Sequence, residues 1–417
     1  MIPTDYQYTC VERFLRYVKY DTQSDENSET FPSTAKQKIL GADLVKELQG
    51  MGLSDAAMDE NGYVMATIPA NTAKENVPVI GFISHMDTSP DVTGENVQAV
   101  LHENYDGKDI VLPADNSIVI TVADNPVLAD KVGETIITAD GTTLLGADNK
   151  AGIAEIFDAA HFLLTHPEVK HGTIRICITP DEEVGQGTKY FDVEKFGAKY
   201  AYTVDGEQLG TIENETFCAD SLTVEFEGVS IHPGFAKDKL VNSIKIASRF
   251  IEKLPKDSLS PETTEKKEGY VHPHAISGGI EKTSIKFLLR AFTDDELRDQ
   301  EAFLRRLVDE TLAEFPAGSA EVSVQESYRN MRYVLDEHPQ VLEMAKEAMQ
   351  RVGITPHIGS IRGGTDGARL SYMGLPCPNI FAGEHSFHSK REWASVQDME
   401  KAVQTIVTIA ALYEEKA

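Results

Sequence analysis

Near residue 217 the apolar rhythm of the chain changes, and that change constrains the fold more than any other feature. Upstream, residues 9–19 and 36–49 carry apolar residues at helical spacing: Val11, Phe14, Leu15 and Val18, then Ile39, Leu40, Leu44, Val45 and Leu48, closed by Gly50. Short runs rich in β-branched or aromatic residues follow as strands over 63–69, 77–85, 172–180 and 200–205, with a helix over about 151–164 between the second and third. This alternation predicts an α/β fold, a mixed, mostly parallel sheet with helices on both faces. Downstream the order becomes strand 217–229, helix 239–254, strand 276–292, helix 294–315 and strand 320–327, with Thr293 and Glu296 as a capping box. That order predicts a smaller two-layer, ferredoxin-like α/β domain. A helix over 339–352 and Gly-rich turns then return to the first pattern. The larger domain is therefore expected to be discontinuous, 1–208 with 322–417, around an insertion at 209–321.

Length agrees with two or three folding units, since 417 residues exceed the ~100–200 typical of one domain. A formal charge of −28 repels phosphate backbones and anionic membranes, which argues against nucleic acid and membrane partners. Acidic residues are spread along the whole chain, so most of them read as a solvated surface. Cys10, Cys177, Cys218 and Cys377 lie far apart and form no C-x-x-C pair, so neither a disulfide framework nor a thiolate metal site is expected. Asp5 and Glu12 fall where a signal peptide needs an apolar run, and no apolar stretch of ~18 residues occurs, so the expected location is cytoplasmic.

Five segments place imidazoles or carboxylates at the ends of strands, where open α/β sheets bind ligands. ISHMDTSP holds His85 and Asp87, two apart, so that one can ligate a metal while the other steers its ring. LLGADNKAG holds Asp148 ahead of a helix, where an ordinary N-cap is an equal reading. TPDEEVGQG holds the adjacent pair Glu182 and Glu183, and YTVDG ends a strand on Asp205. GEHSFHSKREW offers His385 and His388. Imidazole and carboxylate donors without sulfur suit a pair of hard to borderline cations.

With these segments in view the chain resembles the co-catalytic di-zinc metallopeptidase family, which includes carnosinase-like dipeptidases, glutamate carboxypeptidases and acyl-amino-acid deacylases. The resemblance is closest to tripeptide aminopeptidases. It runs nearly end to end, from RFLRYVKYDTQS through GFISHMDTSPD, LLGADNKAGIAEI, TPDEEVGQGTKYFDV, AYTVDG and IHPG to IRGGTDGARLSYMGLPCPN. It implies two zinc ions, with cobalt or manganese as substitutes. Asp148 would bridge them, His85 and Asp205 would complete one site, and Glu183 and His388 the other. Glu182 would be the general base, with Asp87 behind His85. His388 is preferred to His385 because Glu392 follows it by four residues. Asn149 departs from the family pattern where an aspartate is common, and Phe387 where a tyrosine can stand. The resemblance further implies that His232, Asn242, Arg290 and Arg362 bind a small peptide substrate, and that the chain forms a homodimer through the inserted lid domain.

Two other readings share parts of this pattern. A dipeptidase or N-acyl-amino-acid deacylase would use the same metal ligands on another substrate. A non-catalytic metal-binding protein would lack one of the ligands or acids, and all of them are present. No G-x-S-x-G turn supports a serine hydrolase.

Overall fold

The computed structural model describes residues 2–417. They divide into two compact units, one running to Asn214 and resuming over Met331–Gly359 and Thr365–Ala417, the other formed by Glu215–Asn330 with Ser360–Gly364. In the larger unit α1 (Cys10–Tyr17) and α2 (Gln37–Gly50) precede β1 (Ala57–Met58), β2 (Val64–Ile68) and β3 (Ile80–His85). β4 (Ala99–His102), β5 (Ile110–Val111), β6 (Val119–Ile120) and β7 (Ile136–Ala139) lead to α3 (Ala147–Thr165), β8 (Ile174–Thr179), α4 (Val193–Phe196), β9 (Tyr200–Gly206) and β10 (Thr211–Thr216). The insertion supplies β11 (Cys218–Glu227), α5 (Ser243–Glu252), β12 (Tyr270–Gly278), β13 (Lys282–Ala291), α6 (Asp294–Leu312) and β14 (Ser319–Tyr328). The chain then continues with α7 (Arg332–Leu335), α8 (Pro339–Arg351), β15 (His357–Ile361), α9 (Asp366–Tyr372), β16 (Asn379–Phe381), β17 (Glu384–His385), β18 (Trp393–Ser395) and α10 (Val396–Glu415).

The principal sheet has the order β1-β2-β8-β3-β9-β16-β10-β15. Its centre is parallel, β8 with β3, β3 with β9 and β9 with β16, while β2 and β10 pair antiparallel at the flanks. All six residues of β3 are buried, as expected of a strand covered on both faces. α3 packs on β3 and β9, and α1, α8 and α10 extend that helical layer. Asp158, buried on α3, accepts Tyr6 Oη at 2.7 Å and the backbone N–H groups of Thr9 and Cys10 at 2.8 and 3.0 Å. One carboxylate thus satisfies donors at the start of α1 that have no partner within that helix. A second sheet, β17-β18-β7-β4, carries the segment around residues 384–395.

The smaller unit runs β-α-β-β-α-β, with sheet order β12-β13-β11-β14 and every pairing antiparallel. This is the ferredoxin-like arrangement. Leu222, Val224, Phe226, Ile246, Phe250, Phe287, Leu289 and Leu304 form its core. The stretch expected as one strand over 276–292 is two strands, because Gly278 and Gly279 open a tight reversal in which Gly279 N–H donates to Lys282 O at 2.7 Å. The limits of the insertion also differ from the expected 209–321. β14 pairs with β11 as far as Tyr328 with Ala219, so its whole length belongs to the smaller sheet.

Candidate metal and catalytic site

Parallel order brings the C-terminal ends of β8, β3 and β9 side by side, and those ends carry Glu182 and Glu183, His85, and Asp205. His85 closes β3 and is buried; its Nε2 lies 2.9 Å from Asp148 Oδ1 and 3.2 Å from Asp205 Oδ1. His388 Nε2 lies 3.1 Å from the other Asp148 oxygen, Oδ2, and 2.7 Å from Glu183 Oε2. Two groups of ligand atoms result, His85, Asp148 and Asp205, and Asp148, Glu183 and His388, each with its atoms within 4.8 Å of one another. Asp148 belongs to both.

Several local devices hold these side chains. Asp148 and Asn149 depart from helical dihedrals at the head of α3 and are joined by a cis peptide bond. Asn149 rather than Asp148 acts as the cap, its Oδ1 accepting Gly152 N–H at 3.2 Å. Glu392 accepts the backbone N–H groups of Leu145, Gly146 and Asp148 at 2.7, 2.8 and 3.0 Å, clamping the turn that presents Asp148. Asp87, fully buried, accepts the N–H groups of Glu182 and Glu183 at 3.0 and 3.1 Å, and its Oδ1 lies 3.3 Å from His85 Nδ1. It therefore steers the ring and shapes the acidic turn together. His388 takes a left-handed φ of 56°, a conformation unusual for a residue with a Cβ.

The electrostatics show a site short of positive charge. Burial pushes Glu183 up to about 8, with Asp148 adding to the rise. Desolvation also carries Glu182 well above the usual carboxylate range, reinforced by Asp366, Asp205 and Glu183 against the pull of His85. Burial alone would lower His388, but its hydrogen bonds to Asp148 and Glu183 outweigh it and hold the ring at about 11. Glu183 Oε1 is sealed from solvent with no hydrogen-bond donor, and Asp205 Oδ1, equally buried, has only the His85 ring nitrogen 3.2 Å away beside it. Carboxylates crowded this way stay ionised together only beside cations, and the donor set of imidazoles and carboxylates suits a metal pair.

His385, by contrast, belongs to neither group. It is buried and stacks on Trp393 with ring centroids 4.0 Å apart. The remaining candidates lie in the smaller unit. His232 is exposed and accepts Gly234 N–H at 3.1 Å, and Asn242 caps α5 by accepting Ile244 N–H at 2.9 Å. Arg290 donates to Leu289 O at 2.8 Å with its guanidinium over the Tyr328 ring. Arg362 donates to Lys266 O and Glu268 O, both at 2.8 Å, and lies over Phe217, so it ties down the 264–268 loop. Sequence reasoning noticed Glu392 only as a marker for His388 and did not single out Glu384. Their signal was faint, because a glutamate in a short irregular segment has no periodicity to betray it.

Residues 139–412 match the model of peptidase family M20/M25/M40. The chain is 49% identical over 406 residues to Peptidase T of Caldanaerobacter subterraneus subsp. tengcongensis, covering 97% of this chain and 99% of that one. It is 50% identical over 406 residues to Peptidase T of Clostridium acetobutylicum, with the same coverage. Among solved structures it is similar to the aminopeptidase PepT from Bacillus cereus, with a TM-score of 0.74 at 25% identity over 97% of this chain and 98% of that chain.

Proposed function

Because the chain belongs to peptidase family M20/M25/M40, we propose that it is a tripeptide aminopeptidase, releasing the N-terminal residue of tripeptides at the site gathered around Asp148. The sharing of Asp148 carries the reading, since its two oxygens reach two separate groups of ligands, one with His85 and Asp205 and one with Glu183 and His388. The cations proposed are two zinc ions, with cobalt or manganese able to substitute. When bound, such a pair acidifies water toward neutral pH and polarises a carbonyl oxygen. Glu182 takes the proton of the attacking water and delivers it to the departing amine, as a general base and then a general acid. Asp87 keeps His85 in one tautomer, with Nδ1 directed at Asp87 and Nε2 free to ligate.

The peptide's C-terminal carboxylate suits Arg290, whose fork of donors can grip it bidentately. His232 and Asn242 would hold the remainder of the substrate, while Arg362 supports the loop that it anchors. A grip on the C-terminal carboxylate would favour one peptide length. Homodimerisation through the smaller unit and a cytoplasmic setting complete the proposal. The four cysteines, all buried and unpaired, are compatible with a reducing compartment. Among the described residues no helix is long and apolar enough to cross a membrane.

The test is metal analysis of the purified protein beside hydrolysis of di-, tri- and tetrapeptides before and after chelation. Tripeptide cleavage that chelation abolishes and zinc restores is expected. Cleavage indifferent to chelation would overturn the metal chemistry, and equal rates on the three lengths would remove the length selection.

A further inference from the structure

Glu384 is a buried carboxylate beside the metal-ligand groups that the chemistry above does not use. It is 1% exposed, and its Oε2 is sealed from solvent with no hydrogen-bond partner. Its backbone is brought to the site by Ala382 and Gly383, whose N–H groups donate to Gly206 O at 2.7 and 3.3 Å, next to Asp205. It stands opposite Ala394 in the β17–β18 pair, two residues from Glu392, and β17 packs against α3. Successive residues of a strand face opposite ways. His385 turns toward Trp393, so Glu384 faces the other side, where α3 presents Asp148.

A carboxylate in that position has two ways to exist, and both leave something missing. Ionised, it has only the His85 ring to offset it, while burial, with Asp148 and Asp205 adding to the rise, pushes it well above the usual carboxylate range. Protonated at Oε2, its hydroxyl has no acceptor among the described residues. A buried group left without its partner costs about 1–3 kcal/mol, more if charged. Cations held at the neighbouring ligand groups would offset its charge but leave Oε2 without a hydrogen bond, so the missing partner is a donor brought from outside the chain. Glu392, the other buried glutamate nearby, is already satisfied by three N–H groups.

We propose that Glu384 is the anchor for the α-ammonium group of the substrate, and so a residue by which this site selects peptides with a free N-terminus. The proposal rests on the aminopeptidase reading. An ammonium placed against Glu384 restores charge balance at the carboxylate and holds the first residue's carbonyl beside the ligand groups. The same carboxylate opposes N-acylated peptides, which bring no positive charge and would leave it unpaired.

The experiment compares the wild-type protein with Glu384→Gln and Glu384→Ala, zinc-loaded, on one tripeptide and on its des-amino analogue, in which hydrogen replaces the α-amino group. For the glutamine variant kcat/KM on the tripeptide is expected to fall about 10- to 100-fold, the range of a lost charge-assisted hydrogen bond. The value for the des-amino analogue should change less than about threefold, since it never made that bond. Bound zinc, measured by atomic emission, should equal that of the wild type. Equal losses on the two substrates, or loss of zinc, would overturn the proposal by making Glu384 a support for the metal site. Should the wild type cleave no tripeptide, the aminopeptidase reading falls by itself. Calorimetric titration with the two ligands then still tests the anchor, and equal wild-type affinities for them would reject it.

Discussion

Asp148 owes its position to another carboxylate. Glu392 gathers three backbone N–H groups, those of Leu145, Gly146 and Asp148, and so clamps the turn that presents the residue shared by both ligand groups. Glu182 has the opposite character, since it belongs to neither ligand group. The two predict separable phenotypes. Glu182→Gln should retain the metals and lose about 10²–10⁴ in kcat, the usual worth of a positioned acid–base. Glu392→Gln turns an amide NH2 toward backbone donors and should weaken metal binding about 10- to 100-fold, as loss of an outer partner of a ligand does. Metal titration beside steady-state kinetics checks both, and a metal-depleted Glu182→Gln protein would contradict the assignment. At this scale the residue types and their strand-end positions were legible from H-x-D, D-E-E and V-D-G. The clamp was not, because a carboxylate that binds backbone N–H groups 244–247 residues away leaves no local pattern.

Elements converge on the site by close approach. α3 runs so near β9 that a Cβ added at Gly152 would lie 2.0 Å from Val204 O and 2.5 Å from Asn149 Oδ1. Both neighbours matter, since Val204 precedes Asp205 and Asn149 follows Asp148. Gly152→Ala must therefore push helix and strand apart, at a cost of about 1–3 kcal/mol or more. It should also lower the metal content by spreading the ligands; denaturant unfolding and metal analysis read the two effects, and an unchanged metal content would count against the close-packing argument. α6 could be read from the capping box at its start, and α2 from 3.6-residue spacing. α10 carried the same signal in Ala402, Val403, Ile406, Val407 and Ala410, which all prove buried, although the sequence reading did not take it up. β17 and β18, with two and three residues, are too short for any periodicity to announce them.

For the whole molecule, metal and proton must compete. His388, held at about 11 by Asp148 and Glu183 against the effect of burial, carries a proton throughout the neutral range when no cation is present. A cation must expel that proton to reach the ring nitrogen, so apparent affinity should rise as pH rises through neutrality and weaken as it falls. Zinc titrations in buffers of different ionisation enthalpy, at about pH 6 and about pH 8, should report net proton release. Heat changes independent of buffer would refute the linkage. Every ligand in both groups lies in the larger unit. Chelation should therefore lower the unfolding transition of that unit, because binding to the native state alone stabilises it.

The sequence by itself determined the strand-helix alternation behind the mostly parallel sheet, the strand and helix order downstream of it and the residue types gathered around Asp148. Those features follow from apolar periodicity and from residue types at strand ends, which act over a few neighbours. Only the tertiary structure decided that β8, β3 and β9 lie side by side, that Asp148 turns one oxygen to each histidine, and that Glu384 and Glu392 stand behind it. Strand order and loop closure depend on packing between residues hundreds of positions apart, and no short window of the chain contains that information.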